Sequence, residues 1–167
     1  MPLLLLSLVA HLLLQPPPGR RFILEKDWRP SAPLKLFVYT PFDAPSFSGK
    51  KDKSAIYEAE QIRKTLTKRT TTGYYSQWFE LAPDRESSEV VLEVTHYERR
   101  FVEIGYQDNY VLSGRITVPG CMEAEPATAF AVERRAKELH RMMLNEVADA
   151  MKRKCSGTLT DRTRSRP

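Results

Sequence analysis

Histidine and cysteine are scarce, at three and two residues in a chain of 167. A metal centre takes three or four ligands, and no run of the sequence clusters His, Cys and carboxylates at ligand spacing. Glycine is sparse too. Its seven residues stand singly, which excludes the glycine-rich loops that cradle phosphates or dinucleotides. There is no Gly-x-Ser-x-Gly elbow, and neither Cys121 nor Cys155 has a histidine close by in sequence, so the familiar nucleophile patterns are missing. These absences predict a protein without a catalytic centre and without a cofactor.

No hydrophobic run is long enough to span a bilayer. The longest is Leu3 to Leu14, broken by Ser7 and His11. As a helix it would reach ~18 Å against a hydrocarbon core of ~30 Å. That length matches the apolar region of a signal peptide, although no Lys or Arg precedes it and no small-x-small cleavage site follows. No cysteine follows it either, so it is not a lipoprotein signal. Gln15-Pro16-Pro17-Pro18-Gly19 cuts it off sharply from the rest. The expected organisation is a leader over 1–15, a proline-rich linker over 16–33, one domain over 34–154 and a basic, disordered tail over 155–167. Such a chain is expected in the periplasm or secreted, with membrane contact only through an uncleaved leader.

The net charge of +5 is local. Residues 152–167 hold Lys152, Arg153, Lys154, Arg162, Arg164 and Arg166 against Asp161, and the remainder balances 20 basic with 20 acidic residues. A neutral domain with a basic end predicts a solvated tail; no nucleic-acid partner is expected. Binding of nucleic acid or an anionic surface through that tail is the alternative such a composition allows.

Hydrophobic periodicity then divides the domain. Leu34 to Thr40 reads as a strand stopped by Pro41. Ser54 is the expected N-cap of a helix to about Arg69, with Ile56, Ala59, Ile62 and Leu66 on one face and Glu60 paired with Lys64 on another. A short strand is expected at Trp78–Leu81. Val90 to Thr95 is the strongest strand pattern and extends towards Ile104, with Tyr110–Val118 as its antiparallel partner. The apolar sets Val90, Leu92, Val94, Val102 and Ile104, and Tyr110, Leu112, Ile116 and Val118, are even-numbered, which predicts a three-residue loop at Gln107-Asp108-Asn109 with Asn109 left-handed. Pro119–Pro126 reads as a loop, and Thr128–Lys154 as one helix with Val132, Ala136, Leu139, Met143, Val147 and Met151 in a stripe. The fold class is therefore α+β: two layers, a mixed or antiparallel sheet of about four strands, and two covering helices.

Few residues suggest chemistry. His96 and Glu98 share the parity of the core side, where a His-x-Glu pair could hold a metal or transfer protons; a small metal-dependent or hydrolase-like enzyme is the alternative that follows. Two ligands fall short of a metal set, so a hydrogen-bonded histidine is expected instead. Cys121 and Cys155 bracket the long helix, whose ~40 Å would hold them apart and leave two free thiols. At the hairpin tip, Tyr106 and Tyr110 flank Gln107, Asp108 and Asn109. Aromatic anchors beside adaptable polar groups suit a partner-binding surface.

The succession of strand, helix, three strands and closing helix, with Leu36-Phe37-Val38-Tyr39-Thr40-Pro41 and Glu89-Val90-Val91-Leu92-Glu93-Val94-Thr95 as its strand segments, resembles a loose group of uncharacterised bacterial envelope proteins. The layout over residues 34–154 is similar to the N-terminal domain of the Tol–Pal translocation protein and to curli-secretion-type α/β lipoprotein domains. The resemblance implies an exported, non-enzymatic accessory domain that binds another envelope protein.

Overall fold

Side-chain alternation sets the first strand: in Leu34–Tyr39 (β1), Leu34, Leu36 and Val38 are buried while Lys35 is exposed. The computed structural model describes residues 30, 32–68, 74–102 and 107–164. Four more strands follow, Phe79–Leu81 (β2), Val90–Val102 (β3), Gln107–Val118 (β4) and Met122–Val132 (β5), with helices at Lys53–Thr67 (α1) and Leu139–Arg164 (α2). The sheet runs in the order β2-β1-β3-β4-β5. β1 lies parallel to both its neighbours, and the β3-β4-β5 part is antiparallel. The class is α+β as expected, with five strands where about four were anticipated. The leader and most of the linker lie outside the described residues.

Both helices pack on one face of this mixed sheet. α1 contributes Ala55, Ala59 and Ile62, and α2 contributes Leu139, Met143, Leu144, Val147, Ala148 and Met151, all buried in one core with Leu36, Leu92, Leu112 and Ile116. The cap of α1 is Asp52, not Ser54: its Oδ1 accepts from the N–H groups of Ser54 and Ala55, each at 3.0 Å. A carboxylate just before the helix reaches the amides of its second and third residues, both in the first turn, which the serine at 54, already inside the helix, cannot. The expected Glu60–Lys64 ion pair forms at 2.7 Å.

The largest departure from expectation is at residues 122–138. The long helix does not start at Thr128. Residues 122–132 form β5, a 3-10 segment covers Glu133–Glu138, and α2 begins at Leu139. Ala127, Ala129 and Ala131 are buried while Thr128 and Phe130 are exposed, a period of two that pairing with β4 enforces. Alanine favours helices, but small side chains here let α2 lie close on the strand, so tertiary packing overrides propensity. At its other end α2 continues to Arg164, past the point where a disordered tail was expected.

This rearrangement brings the two cysteines together. α2 runs back along β5, and the sixteen residues from Leu139 to Cys155 rise ~24 Å, returning to the β4–β5 turn. There Pro119 and Gly120, the latter at φ 77°, make the tight turn that ends in a bond from the Cys121 N–H to the Val118 carbonyl at 2.9 Å. Cys121 and Cys155 form a disulfide with Cα atoms 5.6 Å apart. The expectation of two free thiols is overturned, because it rested on a helix that started eleven residues too early.

Candidate functional site

The β3–β4 ladder changes register once. Val94 pairs with Gly114, but His96 pairs with Ser113, leaving Thr95 as an extra residue. Its hydroxyl donates to the Ser113 carbonyl at 3.2 Å. A bulge of one residue exchanges the two faces of everything beyond it. Before the bulge, even-numbered residues of β3 face the helices; after it, the odd-numbered Tyr97, Arg99 and Phe101 do. Gly114 accommodates the kink, since a Cβ there would stand 2.6 Å from the Glu93 carbonyl oxygen.

His96 and Glu98 therefore lie on the face away from the helices, not on the core side. The His96 side chain is 59% exposed, with Nδ1 3.4 Å from Asp52 Oδ2. Glu98 binds Arg100 across 2.6 Å, and that hydrogen bond lowers its pKa from the ordinary carboxylate value. Among the described residues no group of three or more His, Cys, Asp or Glu is placed to hold a metal. His140 sits on α2, where burial and then the Arg141 charge lower its pKa.

The bulge makes room for a different cluster at the far half of the hairpin. Tyr97 packs on Tyr110 with ring centroids 6.3 Å apart. The Arg99 guanidinium lies over the Tyr110 ring at 5.8 Å and pairs with Asp108, which holds its pKa above the usual guanidinium value. Asp52 fixes this part to α1: Oδ2 accepts from the Tyr97 N–H at 3.1 Å while Oδ1 caps the helix. One carboxylate thus satisfies the start of α1 and the strand backbone where β1 has already ended, its last pair being Tyr39 with Glu93.

Glu58, one turn into α1, is the residue that sequence reasoning missed. It is 8% exposed, and its Oε2 has no hydrogen-bond partner among the described residues. Burial raises its pKa to about 7. Burial also raises that of Tyr97, followed by the charge of Glu58. The helical spacing of Ala55, Glu58, Ala59 and Ile62 was the available clue: it puts Glu58 on the buried stripe of α1.

Of the five residues expected at a partner-binding tip, Gln107, Asp108, Asn109 and Tyr110 are all within β4, and Tyr106 lies outside the described residues. Gln107 pairs with Val102 and Asn109 with Arg100, so residues 107–109 are ladder residues and not the expected three-residue loop. The bulge at Thr95 removes the parity on which the three-residue loop was argued. Among the described residues the non-glycine with positive φ is Ala124, at 49°, not Asn109. Among the described residues, Phe101, paired with Asp108 and 62% exposed, is an accessible aromatic at this end.

No family model and no curated protein matches the sequence. Among solved structures, a PelC dodecamer from Paraburkholderia phytofirmans aligns with 75% of this chain and 91% of its own at 12% identity and a TM-score of 0.35. The solution structure of the uncharacterized lipoprotein B from Nitrosomonas europaea aligns over 80% of this chain and 87% of its own, at 12% identity and a TM-score of 0.33. At these values the resemblance is one of general α+β layout, and it assigns no role.

Proposed function

We propose that this chain is an exported, non-enzymatic accessory domain of the bacterial cell envelope that binds another envelope protein. The disulfide between Cys121 and Cys155 carries the reading. Such bonds persist in oxidising compartments and are rare in a reducing cytosol. Both cysteines are used, and the described residues hold no free one. The apolar run Leu3–Leu14 adds independent support.

The partner surface we assign to the far end of the hairpin, Tyr106 to Tyr110, together with Phe101. Asp108 and Tyr110 are held by Arg99 there, so the aromatic and polar groups are ordered before a partner arrives, which lowers the entropy lost on binding. The test begins with the full chain made in a bacterium with its own N-terminus, then fractionated and alkylated without prior reduction. Protein outside the cytoplasm with Cys121 and Cys155 joined in one peptide pair is expected. A cytoplasmic chain with both thiols alkylated would overturn the reading. For the surface, Phe101→Ser should melt like wild type yet lose the co-purifying envelope protein; retention of that protein would remove the assignment.

A further inference from the structure

The two edges of the sheet are unlike. β2 is three residues long, whereas β5 has eleven, paired with β4 on one side and with no strand on the other among the described residues. An open edge offers unpaired N–H and C=O groups, and proteins usually guard it with charge, proline or irregular backbone. The first half of β5 has all three: Glu123 and Glu125, Pro126, and the positive φ of Ala124. The second half, Ala127–Val132, has no charge, proline or glycine. Its outward side chains are Thr128 and Phe130, the latter 53% exposed.

We propose that Ala127–Ala131 pairs antiparallel with the same segment of a second copy of this chain. The segment suits itself. A twofold axis through Ala129, normal to the sheet, places Ala127 opposite Ala131 and Thr128 opposite Phe130. Small alanines then meet on the helix side, and Phe130 covers the partner's Thr128 on the other. Both copies keep their helices on one face of a continuous ten-stranded sheet.

Charge selects this occupant and this direction. The strand begins acidic, at Glu123 and Glu125, and the 3-10 segment after it is net basic, with Arg134, Arg135 and Lys137 against Glu133 and Glu138. Glu125 is bound by Lys154, and Arg135 by Glu138. Glu123 and Arg134 are both exposed and have no ion-pair partner among the described residues. Antiparallel pairing sets the Glu123 end of each copy beside the Arg134 end of the other, twice per dimer; parallel pairing would set like ends together. An unrelated extended peptide could satisfy the backbone, but only a second copy brings both matched ends.

Sedimentation equilibrium of the purified full chain, over a range of concentrations, tests the proposal with two double variants. Wild type is expected at twice the chain mass. Thr128→Lys with Phe130→Lys puts lysines directly opposite one another at both cross-strand pairs and should give a monomer. Thr128→Glu with Phe130→Lys makes the same two pairs oppositely charged and should restore the dimer. Circular dichroism melting unchanged from wild type in both variants establishes that the fold is intact. A wild-type monomer at every concentration overturns the proposal, as does a dimer that survives the lysine pair, which would place the contact elsewhere. Failure of the glutamate–lysine variant to recover overturns the register centred on Ala129.

Discussion

The two ends of the sheet are held by different physics. At the β4–β5 turn, Val118 and Met122 are buried, and a covalent bond joins the turn to α2. Beyond the bulge at Thr95, tyrosines, an arginine, two aspartates and a buried carboxyl replace aliphatic packing. The first end depends on a covalent bond that a reductant would break, and the second on charged and titratable groups. A single inserted residue separates them, because it turns the outer side of β3 inward and lets Tyr97, rather than His96, face the helices.

Breaking the covalent end should have the largest effect. The disulfide closes a loop with a sequence separation of 34, so Cys121→Ala with Cys155→Ala is expected to cost about 3–4 kcal/mol and to lower the melting midpoint by roughly 10–15 °C. Reductant should destabilise wild type similarly and leave the double variant unchanged. Next comes the junction. Gly114→Ala forces its Cβ against the Glu93 carbonyl, and a loss of about 1–3 kcal/mol in urea unfolding is expected. A neutral result would show that the ladder shifts freely at this point.

The polar end gives a pH signature. The carboxyl of Glu58 has its pKa raised from 4.5 to about 7 in the folded state, so between those values the folded chain binds the extra proton. Stability from this group is therefore greatest below about pH 4.5 and falls as pH rises through about 7. Allowing for solvent screening, the difference is on the order of 1–2 kcal/mol. Glu58→Gln should raise the midpoint above neutrality, have little effect in mild acid and flatten the profile between; an unchanged profile would assign the pH response to other groups. The smallest effects belong to the exposed pairs. His96→Ala removes only a 59%-exposed side chain at 3.4 Å from Asp52, less than expected of a core-side histidine. Arg99→Ala should cost little at low salt and nothing at high salt.

Where one local pattern decides the structure, the sequence was readable. Leu34, Leu36 and Val38 recur at the spacing of a strand, Val90–Val94 is rich in β-branched valine, and the Glu60–Lys64 spacing belongs to a helix; all three are found as read. The misreadings have two physical sources. Ala127, Ala129, Ala131 and Ala136 carry a strong helical propensity, and nothing local shows that β4 will pair with them. That one misassignment also separated the cysteines and hid the fifth strand. The second source is Thr95. Inserted residues leave no trace in composition, yet the parity of His96, Glu98 and every residue to the hairpin end depends on it. Glu58 was legible by position but not by chemistry, since a carboxyl among buried alanines is indistinguishable in sequence from one on a solvated face.

The disulfide also bears on how the chain is made. Cys155 lies on the last helix, so a chain emerging N-terminus first shows an oxidant a solitary thiol at Cys121 until the final stretch arrives. With two cysteines in the sequence, one intramolecular pairing exists, and oxidation within a single chain has a single outcome. Between these two cysteines no reshuffling step is needed. The hazard is instead between chains, in the interval when Cys121 has emerged and its own partner has not.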